Sequence, residues 1–114
     1  MTTDFLNLIP DEVGYIENYK NINSLSLIGN TNISIPILCK NNMKNKMQSW
    51  YVNKIRNCIA HQNIEAINEN QKWEKVRMWN INPSMGRDFE VIYDCYLLKQ
   101  FGIYIAQLFM NKNI

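Results

Sequence analysis

The sequence predicts a single, mainly α-helical domain over residues 1–114, and three observations lead to this prediction. Its 114 residues are enough for one domain with one hydrophobic core. Apolar residues recur at helical spacing between about Asn42 and His61. A second apolar run, Phe89–Met110, is apolar over more than one helical face, so we expect a buried helix covered on several sides.

The remaining segments give weaker signals. Asp11 and Glu12 follow Pro10, which predicts a short first helix continuing to Ile22. Residues 25–37 alternate apolar and polar side chains around a Gly-Asn turn, which favours a small β-hairpin in that region. The stretch "KWEKVRMWN" fits either a short helix or a strand.

The two main helices have their own local signals. The helix predicted between about Asn42 and His61 carries an apolar stripe that should face the core. The stripe is formed by Met47, Tyr51, Val52, Ile55, Cys58 and Ile59. The last helix has two candidate caps, Ser84 and Asp88, just before its apolar run. Because Asp94, Lys99 and Gln107 interrupt that run, we expect it to be buried in protein rather than in a membrane.

Composition excludes several classes of protein. Three cysteines, far apart and without C-x-x-C pairs, indicate neither a disulfide framework nor a zinc site. The N-terminus has no basic flank or long apolar stretch, so we expect a cytoplasmic protein without a signal peptide. No metal, cofactor or membrane partner is expected.

A basic segment precedes the only histidine. Its five cations are not interrupted by any acid, and they are Lys40, Lys44, Lys46, Lys54 and Arg56. Such a local positive field attracts phosphates, although a solvated helix face explains it equally well. On the polar side of the helix, the candidate RNA-binding residues are Lys46, Trp50, Asn53 and Lys54, with Trp50 either stacking on a base or packing in a core or dimer interface.

The segment "KIRNCIAHQN" contains the strongest candidate site. RNA cleavage needs groups that remove a proton from the 2′-OH, protonate the leaving 5′-oxygen and stabilise the phosphorane-like charge. His61 can exchange protons near neutral pH, Arg56 can bind a phosphate, and Asn57 can orient either group. On one unbroken helix, Arg56 and His61 lie about 140° apart. They therefore converge only if the Arg side chain wraps round, the helix breaks or two chains share the site.

The motif "RNCIAH" resembles the R-x-x-x-x-H signature of HEPN domains, which often carry a polar residue directly after the Arg. The resemblance implies an all-α, HEPN-like helical bundle that forms a homodimer and cleaves RNA without a metal. It implies that Arg56, Asn57 and His61 are catalytic and that the products end in 2′,3′-cyclic phosphate and 5′-hydroxyl. It also implies a role in antiphage defence or a toxin–antitoxin system, with RNA and an antitoxin or activating protein as partners.

Two other readings of the motif remain open. The chain could be a non-catalytic HEPN-like module that binds RNA or restrains a catalytic partner. It could also be a small helical domain in which Arg56 and His61 occur at this spacing by chance. With three Arg residues in the chain, the probability of an Arg five positions before the His is about 3%, which is suggestive of a site but not decisive.

Overall fold

A four-stranded antiparallel sheet with helices against it forms the fold. The computed structural model describes residues 3–15, 27–28, 43, 46–69, 72–83 and 86–112. Its elements in chain order are α1 (Thr3–Leu6), β1 (Gly14–Tyr15), α2 (Gln48–Ala60), β2 (Ile64–Glu69), β3 (Lys72–Asn82), β4 (Gly86–Asp94) and α3 (Cys95–Lys112). The strands lie in the order β1-β4-β3-β2, and every neighbouring pair is antiparallel.

This sheet corrects the predicted fold class. The mainly α, HEPN-like helical bundle is wrong, because residues 64–94 form three consecutive sheet strands apart from short connections. The undecided stretch "KWEKVRMWN" lies in the central strand β3. Its neighbour β2 comes from a segment with few apolar residues, which gave no strand signal because that strand is largely exposed.

The last helix begins later than predicted. Residues 86–94 form β4, in which Phe89, Val91 and Tyr93 are buried at the alternating spacing of a strand. Asp94 caps α3, since its Oδ1 accepts a hydrogen bond from the Leu97 N–H at 2.7 Å. The predicted cap Asp88 is instead inside β4, and Ser84 lies outside the described residues.

The short helix predicted to begin after Pro10 and continue to Ile22 is also wrong over the residues that the structure describes. Gly14 and Tyr15 form β1 and pair with Glu90 and Phe89 of β4, so no helix runs through these residues. The rest of that predicted helix, to Ile22, lies outside the described residues. Of the hairpin predicted near residues 25–37, only residues 27–28 are described, in a bend and a turn.

Helix α2 lies on the sheet much as its periodicity predicts. Tyr51, Ile55 and Cys58 are its buried residues. Met47 and Ile59, placed on the same stripe by the sequence, are 71% and 55% exposed. The core-facing stripe is therefore narrower than predicted.

One core lies between the sheet and the helices. Phe5, near the end of α1, contacts the rings of Tyr51 in α2 and Phe101 in α3, with centroids 5.8 and 5.9 Å apart. The Tyr93 hydroxyl lies 2.6 Å from the Tyr51 hydroxyl and donates a hydrogen bond to the Leu8 carbonyl at 3.0 Å. Because Tyr93 donates to Leu8, Tyr51 must donate to Tyr93, and this chain ties α2 and β4 to the N-terminal segment.

A β-bulge in β4 sets the orientation of two neighbouring side chains. The pairing of β3 with β4 shifts between Asn80 and Ile81, and Asp88 is the residue that has no cross-strand neighbour. As a result, consecutive residues Asp88 and Phe89 both contact α2, Asp88 through Lys54 and Phe89 through its aromatic ring. A regular strand would place these two side chains on opposite faces.

Among the described residues, the search for a membrane-spanning helix is negative, since every helix is too short or too polar to cross a bilayer.

Candidate active site

The motif histidine lies where α2 ends. The His61 N–H still donates to the Asn57 carbonyl at 3.1 Å, so His61 continues the last helical turn. Gln62 follows with a φ of 58°, and hydrogen bonds from Gln62 N–H to Ile59 O and from Asn63 N–H to Cys58 O close the helix. These two bonds are those of a Schellman motif, here with Gln instead of the usual Gly.

This helix end exposes His61 beside a polar pocket. The pocket, called the His61 pocket below, has a volume of about 510 Å³. Lys54, Asn57 and His61 follow each other at spacings of three and four residues, so they lie on one face of α2 and line it together. The opposite wall is formed by Asn63, which follows the helix end, and by the end of β3 with the residue after it. The residues from β3 and its end are Asn80, Ile81, Asn82 and Pro83.

The third motif residue faces elsewhere. Arg56 is exposed and does not line the His61 pocket; it lies at an apolar groove of about 760 Å³ on another side of α2. This agrees with the angle of about 140° between positions five residues apart on a helix. The helix does not break between Arg56 and His61, which removes one of the three ways in which they could converge.

The groove is lined almost entirely by apolar side chains from α2, α3 and the neighbouring strands. These include Val52, Ile55, Ile59, Ile64, Val76, Leu98, Phe101 and Ile105. Ile59 and Ile64 are 55% and 43% exposed. An exposed apolar surface of this kind, with Arg56 at its edge, is typical of a protein interface.

A partly buried ion pair includes one of the residues that line the pocket. Lys54 Nζ lies 2.9 Å from Asp88 Oδ2, and the Asn80 side-chain amide donates to Asp88 Oδ1 at 2.7 Å. Asp88 is 2% exposed and Asn80 is 6% exposed. The charge of Lys54 is therefore largely compensated by Asp88, which limits what Lys54 can offer to a phosphate.

Sequence reasoning missed Asp88 and Asn80. Asp88 was assigned to a helix cap, and Asn80 belongs to a segment that could not be assigned to a helix or a strand. Their proximity to Lys54 depends on the β-bulge in β4, which brings Asp88 to the α2 side of the sheet. A single sequence carries no clear signal for such a bulge. One extra residue changes which side of the sheet the neighbouring side chains point to, but it leaves no recognisable pattern in the strand's residue types.

The other predicted RNA-binding residues lie toward the start of α2, outside the His61 pocket. The Trp50 ring packs edge-on against Tyr15 and Phe89, with centroids 4.7 and 6.0 Å apart, so it covers the core. The ammonium of Lys46 lies 5.0 Å from the Tyr15 ring centroid and 5.2 Å from that of Trp50. Asn53 is exposed on α2.

Cys58 lies inside the motif but is not placed for nucleophilic chemistry. The Cys58 side chain is buried, and desolvation together with the nearby Asp88 charge raises the pKa of its thiol to about 12. Cys58 therefore stays protonated and packs in the core rather than acting as a nucleophile. Within the described ranges, no three His, Cys, Asp or Glu side chains are grouped so that they could hold a metal ion.

Comparison with known proteins covers nearly the whole chain. A family model with the description HEPN pEK499 p136 matches residues 2–114. The matched range includes α2, the His61 pocket, the apolar groove and the complete sheet. No curated protein and no solved structure matches the chain.

Proposed function

The chain belongs to the HEPN pEK499 p136 family, and from that premise we propose that it is a metal-independent endoribonuclease of HEPN type. The observation that carries the proposal is that Asn57 and His61 of the motif line one open polar pocket. His61 is exposed there, so its imidazole is accessible to a substrate. An accessible imidazole beside an amide is suited to proton transfer and orientation, which metal-free RNA cleavage requires.

In the proposed reaction, a general base takes the proton of a ribose 2′-OH. The 2′-oxygen then forms a bond to the adjacent phosphorus, the bond from phosphorus to the 5′-oxygen breaks, and a general acid protonates that leaving oxygen. The products are a 2′,3′-cyclic phosphate and a 5′-hydroxyl. His61 serves as acid or base, and Asn57 orients the imidazole or the phosphate.

The positive charge for the transition state is assigned to Arg56 of a second chain. Arg56 and His61 of one chain lie at different surfaces of α2, and Lys54 is already paired with Asp88. The apolar groove offers a surface for a second copy, with Arg56 at its edge. A homodimer would then supply Arg56 from one protomer to the His61 pocket of the other.

The biological setting follows only from the resemblance to HEPN proteins. We propose antiphage defence or a toxin–antitoxin system in the cytoplasm, with RNA as substrate and an antitoxin or activating protein as regulator. Lys46 and Asn53 at the start of α2 would guide the RNA backbone. Trp50 would take a base only through the part of its ring that Tyr15 and Phe89 leave accessible.

A second candidate function is a non-catalytic HEPN-like module that binds RNA or a catalytic partner. The separation of Arg56 from His61 within one chain favours it, because a single chain then lacks a free cation beside its histidine. Binding would still use the same polar pocket and the same helix face.

The experiment that separates the two functions is incubation of the purified protein with total RNA in EDTA. His61→Ala is compared with Gln107→Ala, an exposed position on α3 that serves as a matched control. Cleavage by the wild type and Gln107→Ala, lost in His61→Ala and leaving 2′,3′-cyclic phosphate ends, supports the enzyme. Intact RNA with all three proteins, together with retained RNA binding, supports the non-catalytic module instead.

A further inference from the structure

The His61 pocket has a wall that the cleavage chemistry does not use. Asn63, Asn80 and Asn82 face α2 across it, and the volume of about 510 Å³ lies within the usual range for small-ligand sites. We propose that this wall binds the base of an unpaired RNA nucleotide whose phosphate lies at His61, with preference for a base that has an exocyclic amino group. This inference rests on the proposed function, since it names the part of the RNA that the same site recognises.

The charge of the pocket favours a base over a phosphate. Among the described residues that line the pocket, Lys54 is the one lysine or arginine, and its ammonium lies 2.9 Å from the buried Asp88 carboxylate. The paired charges leave the inner part of the pocket close to neutral. A nucleobase is neutral and polar at its edge, which suits a wall of amide side chains, whereas a phosphate in the inner part of the pocket would have only the already paired Lys54 beside it.

Asn80 supplies the preference for an amino group. Because the Asp88 carboxylate can only accept hydrogen bonds, the Asn80 amide nitrogen must point to it, which fixes the orientation of the amide. Asn80 Oδ1 is then directed away from Asp88 and is an acceptor. Asn80 is 6% exposed and lines the pocket, so a ligand that donates an N–H to Oδ1 gains a hydrogen bond sheltered from bulk water.

Asn63 is held in place by its backbone. Its N–H donates to the Cys58 carbonyl at 2.8 Å, and its carbonyl accepts from the Trp79 N–H at 3.2 Å. The N–H of Asn63 therefore closes the end of α2 and its carbonyl joins that end to β3, while Asn63 also lines the pocket. An amide on so constrained a backbone loses little entropy when it binds a base edge.

Adenine, cytosine and guanine each carry an exocyclic amino group, whereas uracil has a carbonyl oxygen where cytosine has that group and donates only through its ring N3–H. Held in the same orientation as cytosine, uracil therefore presents an acceptor to Asn80 Oδ1. A hydrogen bond to Asn80 Oδ1 from that amino group predicts about fivefold faster cleavage next to an amino-bearing base than next to uridine, since one such base contact is worth on the order of 1 kcal/mol. Only an unpaired base can present this edge to the pocket, so duplex RNA should be a poor substrate.

The first test measures cleavage of single-stranded oligouridine substrates that contain one A, C or G at a fixed position. The wild type and Asn68→Ala, a variant at an exposed asparagine on β2 outside the pocket, should cleave beside the inserted base about fivefold faster than elsewhere. Asn63→Ala and Asn80→Ala should cleave all positions within about twofold of each other. Equal rates at every position in the wild type, or an unchanged preference in both pocket variants, would overturn the inference and leave the ribonuclease proposal intact.

The second test does not need cleavage. The 3′-monophosphates of adenosine, cytidine, guanosine and uridine are titrated into the protein, and the side-chain amide signals of Asn63 and Asn80 are followed by NMR. Perturbation by the amino-bearing nucleotides and not by 3′-UMP supports the base site even if RNA remains intact and the enzyme proposal fails. Because Asn80→Ala removes a buried hydrogen bond and could disturb the fold, Asn63→Ala serves as the second variant. Side-chain amide signals that none of the four nucleotides shifts would contradict the base site.

Discussion

Lys54 and Asp88 form an ion pair of 2.9 Å that joins the middle of α2 to the bulge in β4. The lysine side chain is 18% exposed and the aspartate side chain is 3% exposed, so water screens the pair only in part. Lys54 also lines the pocket that contains His61, so the pair connects the stability of the fold with the shape of the site.

Lys54→Met should lower the free energy of unfolding by about 3 kcal/mol, because it leaves the buried Asp88 carboxylate without its cation. The double variant Lys54→Met with Asp88→Asn should regain part of this loss, since no unpaired charge is then left. Lys99→Met, exposed on α3, is the matched control and should change stability by less than about 0.5 kcal/mol. Urea unfolding measures all three, and a Lys54→Met effect as small as that of Lys99→Met would contradict the buried pair.

Arg56→Ala and His61→Ala should each reduce RNA cleavage by at least about 100-fold while leaving the fold intact, since both residues are exposed. If the site is shared between two chains, an equimolar mixture of the two inactive variants should recover about a quarter of wild-type activity through mixed dimers with one complete site. Rates are measured after the chains have exchanged. A mixture as inactive as its components would show that each chain must supply both residues to its own site.

Tyr93→Phe should be more destabilising than Tyr51→Phe. Tyr51→Phe removes one donor, and Tyr93 still donates to the Leu8 carbonyl, so the loss is about 1 kcal/mol. Tyr93→Phe leaves both the Tyr51 hydroxyl and the Leu8 carbonyl without their partner, so the loss is about 2 kcal/mol or more. Denaturant unfolding of both variants checks the order, and the reverse order would contradict this chain of hydrogen bonds.

Stability should decline at alkaline pH. Burial raises the pKa of Tyr51, Tyr93 and Cys58 above their ordinary values, and that of Cys58 to about 12. The folded chain therefore keeps these protons when the unfolded chain has lost them. The stabilisation is fully present below about pH 8, where the unfolded thiol is still protonated, and is lost from there toward the folded pKa values.

The check on this alkaline decline is urea unfolding between pH 7 and 10.5. Each buried group contributes a slope approaching about 1.4 kcal/mol per pH unit once its unfolded form is ionised. Tyr93→Phe should make the decline shallower above pH 10, whereas Tyr96→Phe, at a side chain that is 74% exposed, should not. A free energy of unfolding that stays constant up to pH 10.5 would contradict the expected decline and the raised pKa values from which it follows.

Gln62→Gly should stabilise the chain by about 0.5–1 kcal/mol. Gln62 has a φ of 58° at the end of α2, a conformation that glycine adopts without steric strain. Gln62→Ala keeps the strain and serves as the control, with no expected gain. Thermal unfolding measures the change, and an equal gain for alanine would mean that the backbone conformation is not its cause.

Some features of the fold follow from local sequence and others do not. Helix α2 was predictable because its buried residues Tyr51, Ile55 and Cys58 recur at helical spacing. The segment that begins at Phe89 was ambiguous, because Phe89, Val91 and Tyr93 also satisfy the spacing of a strand. Pairing with β3 decides this segment in favour of a strand, and such long-range pairing is not visible in a local pattern.

Like the fold, the candidate site could be predicted from the sequence only where its residues lie on one helix. Asn57 and His61 share a face because they are four residues apart on one helix, and they meet in one pocket. The same geometry predicted that Arg56 would point elsewhere, which it does. Asp88 and Asn80 could not be found in this way, since they reach Lys54 only through the sheet and its irregular pairing.

The extra residue in β4 also constrains how the gene for this chain can change during evolution. Deleting the codon for Asp88 would restore regular pairing with β3 and remove the only carboxylate that pairs with Lys54 among the described contacts. Substitutions in this strand keep its register, but insertions and deletions do not. Homologous chains that retain the pocket should therefore retain the length of this strand even where its sequence has diverged.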